Sequence, residues 1–242
     1  MQIVGVAVAG GTPLFTRSLA HGADPHRLAW ELGYRIVRPL SATGAGDDLT
    51  FTVQVSAHGR RIASRGPVRT RHVDAGLRPE DLGNPLRRQR LAAYAIVLSD
   101  RGVLGTEFSD RTAVPGLWGL PGGGIDPGEN PSGTVIREVA EETGQHVYLS
   151  HLLDIQTDHW IGRAPNGVVE DFHAVRIIYA ALCPQPTLPV VHDVGGTTAA
   201  TAWIGLAEWT AVPWAAGARA LLDRHLGSLV SGLGYSKSRS AG

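Results

Sequence analysis

The stretch "GLWGLPGGGIDPGENPSGTVIREVAEETG", Gly116 to Gly144, constrains this chain more than any other. Between Pro121 and Glu129 it places two prolines and four glycines (Gly122, Gly123, Gly124 and Gly128), which predicts a loop of left-handed or tightly turned backbone. Asn130 is a good N-cap, Pro131 suits the first helical position, and Gly144 stands where a C′ glycine ends a helix. A short helix over 131–143 follows. Projected at about 100° per residue, Ile136, Val139, Ala140 and Thr143 form a core-facing stripe. Glu138, Glu141 and Glu142 fall on the opposite side, with Arg137 flanking them.

On charge pattern alone this acidic face is an ordinary solvated surface. Its energetics argue otherwise. Glu138 and Glu142 are a like-charge i,i+4 pair, which costs roughly 0.2–0.5 kcal/mol. Glu141 and Glu142 also sit at the negative end of the helix dipole, for about 0.3–1 kcal/mol each. A helix selected only for stability would carry lysine or arginine there, and Arg137 supplies one positive charge against three negative ones. Oxygen donors that outnumber nearby bases suit a hard divalent cation such as Mg²⁺.

The same residues resemble a family signature. Gly123, five residues, Glu129, seven residues and then "REVAEETGQ" resembles the Nudix box of the Nudix hydrolase superfamily. Arg137, Glu138, Val139, Glu141, Glu142 and Gly144 fit that pattern, and Gln145 departs from it where the family prefers an aliphatic residue. The preceding "WGLPGG" (Trp118 to Gly123) is similar to the family's approach strand. The resemblance spans roughly residues 90–226. It implies an α/β (α+β) fold, a Nudix-type α/β/α sandwich with a mixed sheet, and hydrolysis of a nucleoside diphosphate linked to another moiety. It also implies Mg²⁺ or Mn²⁺ as cofactor, held by Glu138, Glu141 and Glu142 with the Gly122 carbonyl. Gly123, Glu129, Arg137 and Gly144 would then orient the loop and helix, Glu129 and Arg137 as an ion pair. For the general base the family is divided between a box glutamate such as Glu138 and an acid on a later segment. The catalytic candidates are accordingly Glu138, Glu142 and Glu170, with Asp171 behind them. The plainer alternative for Glu170 and Asp171 is a pair of solvated acids at the entrance of a strand over 172–182.

Around this box, residues 1–75 predict a small α+β or β-rich unit of unassigned role. Strands are expected at Gln2–Ala9, Tyr34–Arg38 and, by clean alternation, Leu49–Ser56, with a helix at Pro25–Leu32 capped by Asp24. Residues 76–90 form a polar linker in an arginine-rich stretch that includes Arg60, Arg61, Arg65, Arg69, Arg78 and Arg88. At zero net charge that stretch is read as a solvated segment rather than a phosphate-binding surface. The hydrolase domain is placed at 91–228, opening with a Leu91–Leu98 and Val103–Phe108 hairpin and closing with a helix at Ala215–Leu226. Residues 229–242 are expected to be a flexible tail. "DHWIGRAPNGVVED" is expected to be a loop, from which Trp160 could stack on a nucleobase.

Zero net charge predicts no nucleic-acid partner, and no segment reaches the roughly 20 apolar residues of a membrane span. Cys183 is the only cysteine, which suits a cytoplasmic setting and a strand-end position beside Pro184 rather than a nucleophile. His146, His151 and His173 are too dispersed for the local spacing of a zinc site. The expected partner is a nucleotide-type small molecule, with a homodimer compatible. A NADH-type signature and the proline that marks many ADP-ribose enzymes are absent after the box, so a nucleoside triphosphate, a nucleotide sugar or a related compound stays open. The alternatives are a Nudix-fold nucleotide sensor without turnover and a pure interaction scaffold. The complete set of box glutamates weighs against both.

Overall fold

Alternation of apolar and polar side chains shapes the first sheet. The computed structural model describes residues 1–58, 71–164, 166–192 and 195–232. Its first strands are β1 (Gln2–Val6), β2 (Pro13–Ser18), β3 (Tyr34–Thr43) and β4 (Thr50–Ala57), in the order β2-β1-β4-β3. In β4, Phe51, Val53 and Val55 are buried while their polar neighbours are not, as the period of two requires. Helix α1 (Pro25–Glu31) begins at Asp24, whose Oδ1 accepts the Arg27 N–H at 2.7 Å. The sequence reading missed β2 and ended β3 at Arg38. Both are edge strands, where pairing tolerates weak patterning. β3 runs on through Pro39, with register breaks beside it, because an edge strand can spare the missing N–H.

The remaining elements are β5 (Arg71–Val73), β6 (Leu86–Ser99), β7 (Gly102–Phe108), β8 (Trp118–Gly119), β9 (Gly122–Gly124), α2 (Pro131–Thr143), β10 (Tyr148–Arg163), β11 (Val169–Leu182), β12 (Thr198–Ile204) and α3 (Ala216–Gly232). Their strands form an eight-stranded mixed sheet in the order β12-β7-β6-β11-β10-β5, with β8 on β7 and β9 on β6. β5 runs parallel to β10, and β12 runs antiparallel to β7. This is the mixed α+β architecture expected, with the N-terminal sheet separate from it. The chain packs as two compact units. The first holds residues 1–94, 123–135 and 151–179, and the second holds 95–122, 136–150 and 180–242.

Three expectations need correction. The glycine run is not all loop: Gly122–Gly124 is the strand β9. "DHWIGRAPNGVVED" is not a loop either, since β10 extends through Arg163 and β11 begins at Val169, and the Ala164 N–H donates to the Val168 carbonyl at 2.8 Å. Strand pairing across His159, Trp160 and Ile161 to β5 holds that stretch extended. Finally, α3 passes Leu226 and Gly227 to end at Gly232, with Leu221, Leu222 and Leu226 buried. Residues 233–242 and Arg60, Arg61, Arg65 and Arg69 lie outside the described residues. Among the described residues no helix is long and apolar enough to cross a membrane.

Gln145, the departure from the family pattern, is 1% exposed and fully engaged. Its amide donates to the Thr143 carbonyl (3.1 Å) and the Thr187 hydroxyl (2.8 Å), and its Oε1 accepts the Thr187 N–H at 2.9 Å. The polar side chain therefore ties the end of α2 to residue 187. Gln145→Leu would strand buried donors and should lower stability by about 1–3 kcal/mol, measured by urea unfolding, despite restoring the aliphatic residue.

Tyr179 is 6% exposed, and burial pushes its phenol up to about 12. Between pH 10 and 12 the unfolded chain has lost this proton and the folded chain has kept it, so stability falls as pH rises through that window. Wild type minus Tyr179→Phe should show a phenolate absorbance step near pH 12, and Tyr179→Phe should unfold less readily there.

Candidate active site

The acidic helix is built by its N-cap. Asn130 Oδ1 accepts the Gly133 N–H at 2.9 Å and the Ser132 hydroxyl at 2.7 Å. Just before it, Glu129 Oε2 accepts the Thr134 hydroxyl (2.7 Å) and the Asp126 N–H (3.3 Å), which ties the glycine-rich turn to the first helical turn. At the other end Gly144 has φ 66°, as a C′ glycine should. The orphan carbonyls there find partners: His192 N–H donates to Glu141 O at 2.8 Å, and Val190 N–H to Thr143 O at 3.0 Å.

The buried face of α2 is only partly the one the apolar pattern predicted: Val139 and Thr143 are on it and Ile136 is not. Thr134, Val135, Val139 and Thr143 are fully buried, while Ile136 is 47% exposed. The stripe has rotated towards the acids, and Glu142, at 8% exposure, lies within it. A buried carboxylate needs donors, and Glu142 has them. Its Oε1 accepts the Thr198 hydroxyl at 2.6 Å and its Oε2 accepts the Gly122 N–H at 3.0 Å. Gly122 adopts φ 139°, a conformation that favours glycine. The end of the approach segment is thereby pinned to the helix through one carboxylate.

The other two acids share an arginine. Arg137 Nη1 lies 3.1 Å from Glu138 Oε1 and 3.0 Å from Glu141 Oε2. Glu141 is about half exposed, and Glu138 is mostly covered. Gly122, Glu138, Glu141 and Glu142 thus come together on the last turns of α2 and the segment hydrogen-bonded to it.

Glu170, in β11, is not a solvated strand-entrance acid. Its side chain is 5% exposed and Oε1 meets Arg88 Nη1 at 3.1 Å. Trp160 lies on β10 and stacks on Phe172, with ring centroids 5.1 Å apart. Phe172, Arg90, Tyr94 and Arg176 line a cavity of about 110 Å³. Cys183 is buried just beyond β11, and burial pushes its thiol up, away from the reactive thiolate.

One cluster escaped the sequence reading. His21, His159 and Asp171 offer ligand atoms that all lie within 4.8 Å of one another, and the buried His173 packs against both histidines. Burial alone would raise the Asp171 carboxyl, but hydrogen bonds from His159 and His21 outweigh it and hold the group below its ordinary range. His173 is pushed down to about 4 by burial, helped by the neighbouring His21 and His159. Asp171 and His173 share a strand face by their i,i+2 spacing, which was legible. His21 lies far upstream, and nothing local marked it.

Comparison with known proteins identifies the family of the chain. Residues 88–224 match the family model of the NUDIX domain. Nucleoside triphosphatase NudI of Salmonella paratyphi B is 30% identical over 95 residues, covering 38% of this chain and 67% of that protein. Among solved structures, a MutT NUDIX hydrolase from Burkholderia pseudomallei is similar at 26% identity and TM-score 0.42, over 57% of this chain and 98% of that one. The NUDIX domain of Shewanella oneidensis NrtR, solved with ADP ribose, is similar at 25% identity and TM-score 0.45, over 64% and 95%. The chain belongs to the Nudix family and is a pyrophosphohydrolase of that family.

Proposed function

We propose that the protein hydrolyses the pyrophosphate bond of a nucleoside diphosphate linked to another moiety, by attack of water on phosphorus, using Mg²⁺ or Mn²⁺ held by Glu138, Glu141, Glu142 and the Gly122 carbonyl. The observation that carries this reading is the burial of Glu142, fixed by the Gly122 N–H and the Thr198 hydroxyl at the acid-rich end of the helix. The donor set fits a hard cation. It is all oxygen, and an ionised carboxyl offers about four acceptor positions, so one group can serve both a neighbouring donor and a cation. When bound, the cation supplies charge neutralisation on the phosphate oxygens and a more acidic water.

The chain's own groups then divide the remaining work. Glu142 and Gly122 set the position of the approach segment, Glu129 braces the first turn through Thr134, and Arg137 balances Glu138 and Glu141. We assign proton abstraction to Glu138, which is four residues from Glu142 on the same helix and so adjacent to it. Arg90 and the Phe172–Trp160 stack suit an anionic substrate with a flat ring, in keeping with a nucleotide, while Arg176 beside them is paired with Asp158. That NudI is named a nucleoside triphosphatase makes nucleoside triphosphates the first compounds to try. Catalysis is assigned to residues 91–228, in a cytoplasmic protein. Phosphate and pyrophosphate release with Mg²⁺ over a panel of nucleoside triphosphates and nucleotide sugars tests the reading. Tight nucleotide binding with no turnover on any of them would favour the sensor instead.

A further inference from the structure

We propose that His21, His159 and Asp171, with His173 as the third imidazole and fourth ligand, form a site for a zinc-class transition-metal ion that clips the N-terminal segment to strands β10 and β11. This site is separate from the acidic helix and does not depend on the pyrophosphohydrolase reading.

The donor geometry is already close to what such an ion needs. Zinc lies about 2.0–2.1 Å from a histidine nitrogen, so two donors at a tetrahedral angle stand roughly 3.3 Å apart and two ring centres roughly 5 Å. His21 Nε2 is 3.2 Å from Asp171 Oδ1, and the His159 Nε2 meets the same oxygen at 2.5 Å. The three ring centroids are separated by 5.4, 5.6 and 6.1 Å. His21, His159 and Asp171 already offer three donor atoms in one cluster, and the His173 ring beside them would have to move inwards to complete the coordination. Imidazole nitrogens with one carboxylate select zinc and its neighbours over Mg²⁺, which prefers oxygen throughout.

His173 points to a missing role rather than a settled core position. It is fully buried, and neither ring nitrogen has a hydrogen-bonding partner. The Ala23 backbone lies near enough to favour its protonated form, without reaching hydrogen-bonding geometry. Buried polar groups of this kind are rare without a reason.

The chain around His21 is also shaped for close approach. Gly22 has φ 73°, and a Cβ there would come within 2.5 Å of the His159 ring. Asp24, which caps α1, also accepts the Thr157 hydroxyl at 3.0 Å. These contacts hold the turn against β10, so His21 reaches the pair on β10 and β11. The four side chains come from three stretches of chain brought together only by folding.

Zinc titrated calorimetrically into chelator-stripped full-length protein, in excess Mg²⁺, tests the site against His21→Gln and Glu142→Gln. His21 lies in a turn outside every strand and helix, so its replacement should leave the fold intact, checked by circular dichroism. Wild type and Glu142→Gln should bind zinc alike, and His21→Gln should bind at least tenfold more weakly. Co²⁺ should give the strong visible absorption of a four-coordinate site in wild type, lost in His21→Gln. Zinc at a concentration that just saturates the wild type should raise the wild-type Tm by about 5 °C or more and raise that of the variant less. Zinc affinities of wild type and His21→Gln within tenfold of each other would overturn the proposal, as would no zinc uptake by wild type. A loss of zinc binding confined to Glu142→Gln would overturn it too, by moving the ion to the acidic helix.

Discussion

Glu142→Gln is expected to lower kcat by about 10²–10³-fold or more while shifting Tm by no more than about 2 °C. The two halves of this expectation have different causes. Glu142 accepts the Gly122 N–H on one oxygen and the Thr198 hydroxyl on the other. In the amide, Oε1 can still accept the Gly122 N–H, and the NH₂ can donate to the Thr198 oxygen once that hydroxyl rotates. The packing and both hydrogen bonds therefore survive. What disappears is one negative charge at the place where the proposed cation sits. Glu142→Ala behaves differently, because it strands the Gly122 N–H in a buried position and should cost about 1–3 kcal/mol of stability as well as activity. Thermal melts with and without Mg²⁺, beside steady-state kinetics, separate the two variants. A Glu142→Gln protein that turns over normally would mean the carboxylate is there only to hold Gly122.

Much of this site was legible before any coordinates. Fixed spacing identified the box, and Asn130, Pro131 and Gly144 delimited α2 to the residue because cap chemistry is local. The alternation in β4 likewise gave its buried face. The errors came where tertiary demands outweighed local pattern. Ile136 is the more apolar residue, yet it faces outwards, because the helix must turn Glu142 inwards onto Gly122 and Thr198. Thr134 is buried by bonding Glu129 rather than by being apolar. Asp158–Arg163 reads as a loop from its polarity and becomes strand through pairing with β5. The histidine cluster joins residue 21 to residues 159–173, a contact between distant stretches that no periodicity encodes.

Proton abstraction offers the sharper division between the partly covered Glu138 and the buried Glu170. Glu138→Gln is expected to reduce kcat by about 10²–10⁴-fold and to abolish the acid limb of the kcat/KM profile. Glu170→Gln is expected to change kcat by less than about tenfold, within the range of an indirect effect. The argument is one of position before acidity. Glu138 stands one helical turn from Glu142, whereas Glu170 Oε1 is engaged by Arg88. Glu170 should instead declare itself in stability. Arg88→Ala leaves a 5% exposed carboxylate without that guanidinium, and breaking a buried pair from one side costs up to about 3–5 kcal/mol. Because Arg88 is itself largely solvated, at 62% exposure, the loss should be nearer about 1–3 kcal/mol. Adding Glu170→Gln to Arg88→Ala should restore most of it, since the stranded charge is then gone. Urea unfolding of the four proteins in this cycle measures the coupling directly. If Glu170→Gln instead removes the acid limb and Glu138→Gln retains it, the base belongs to β11 and the assignment to the helix is wrong.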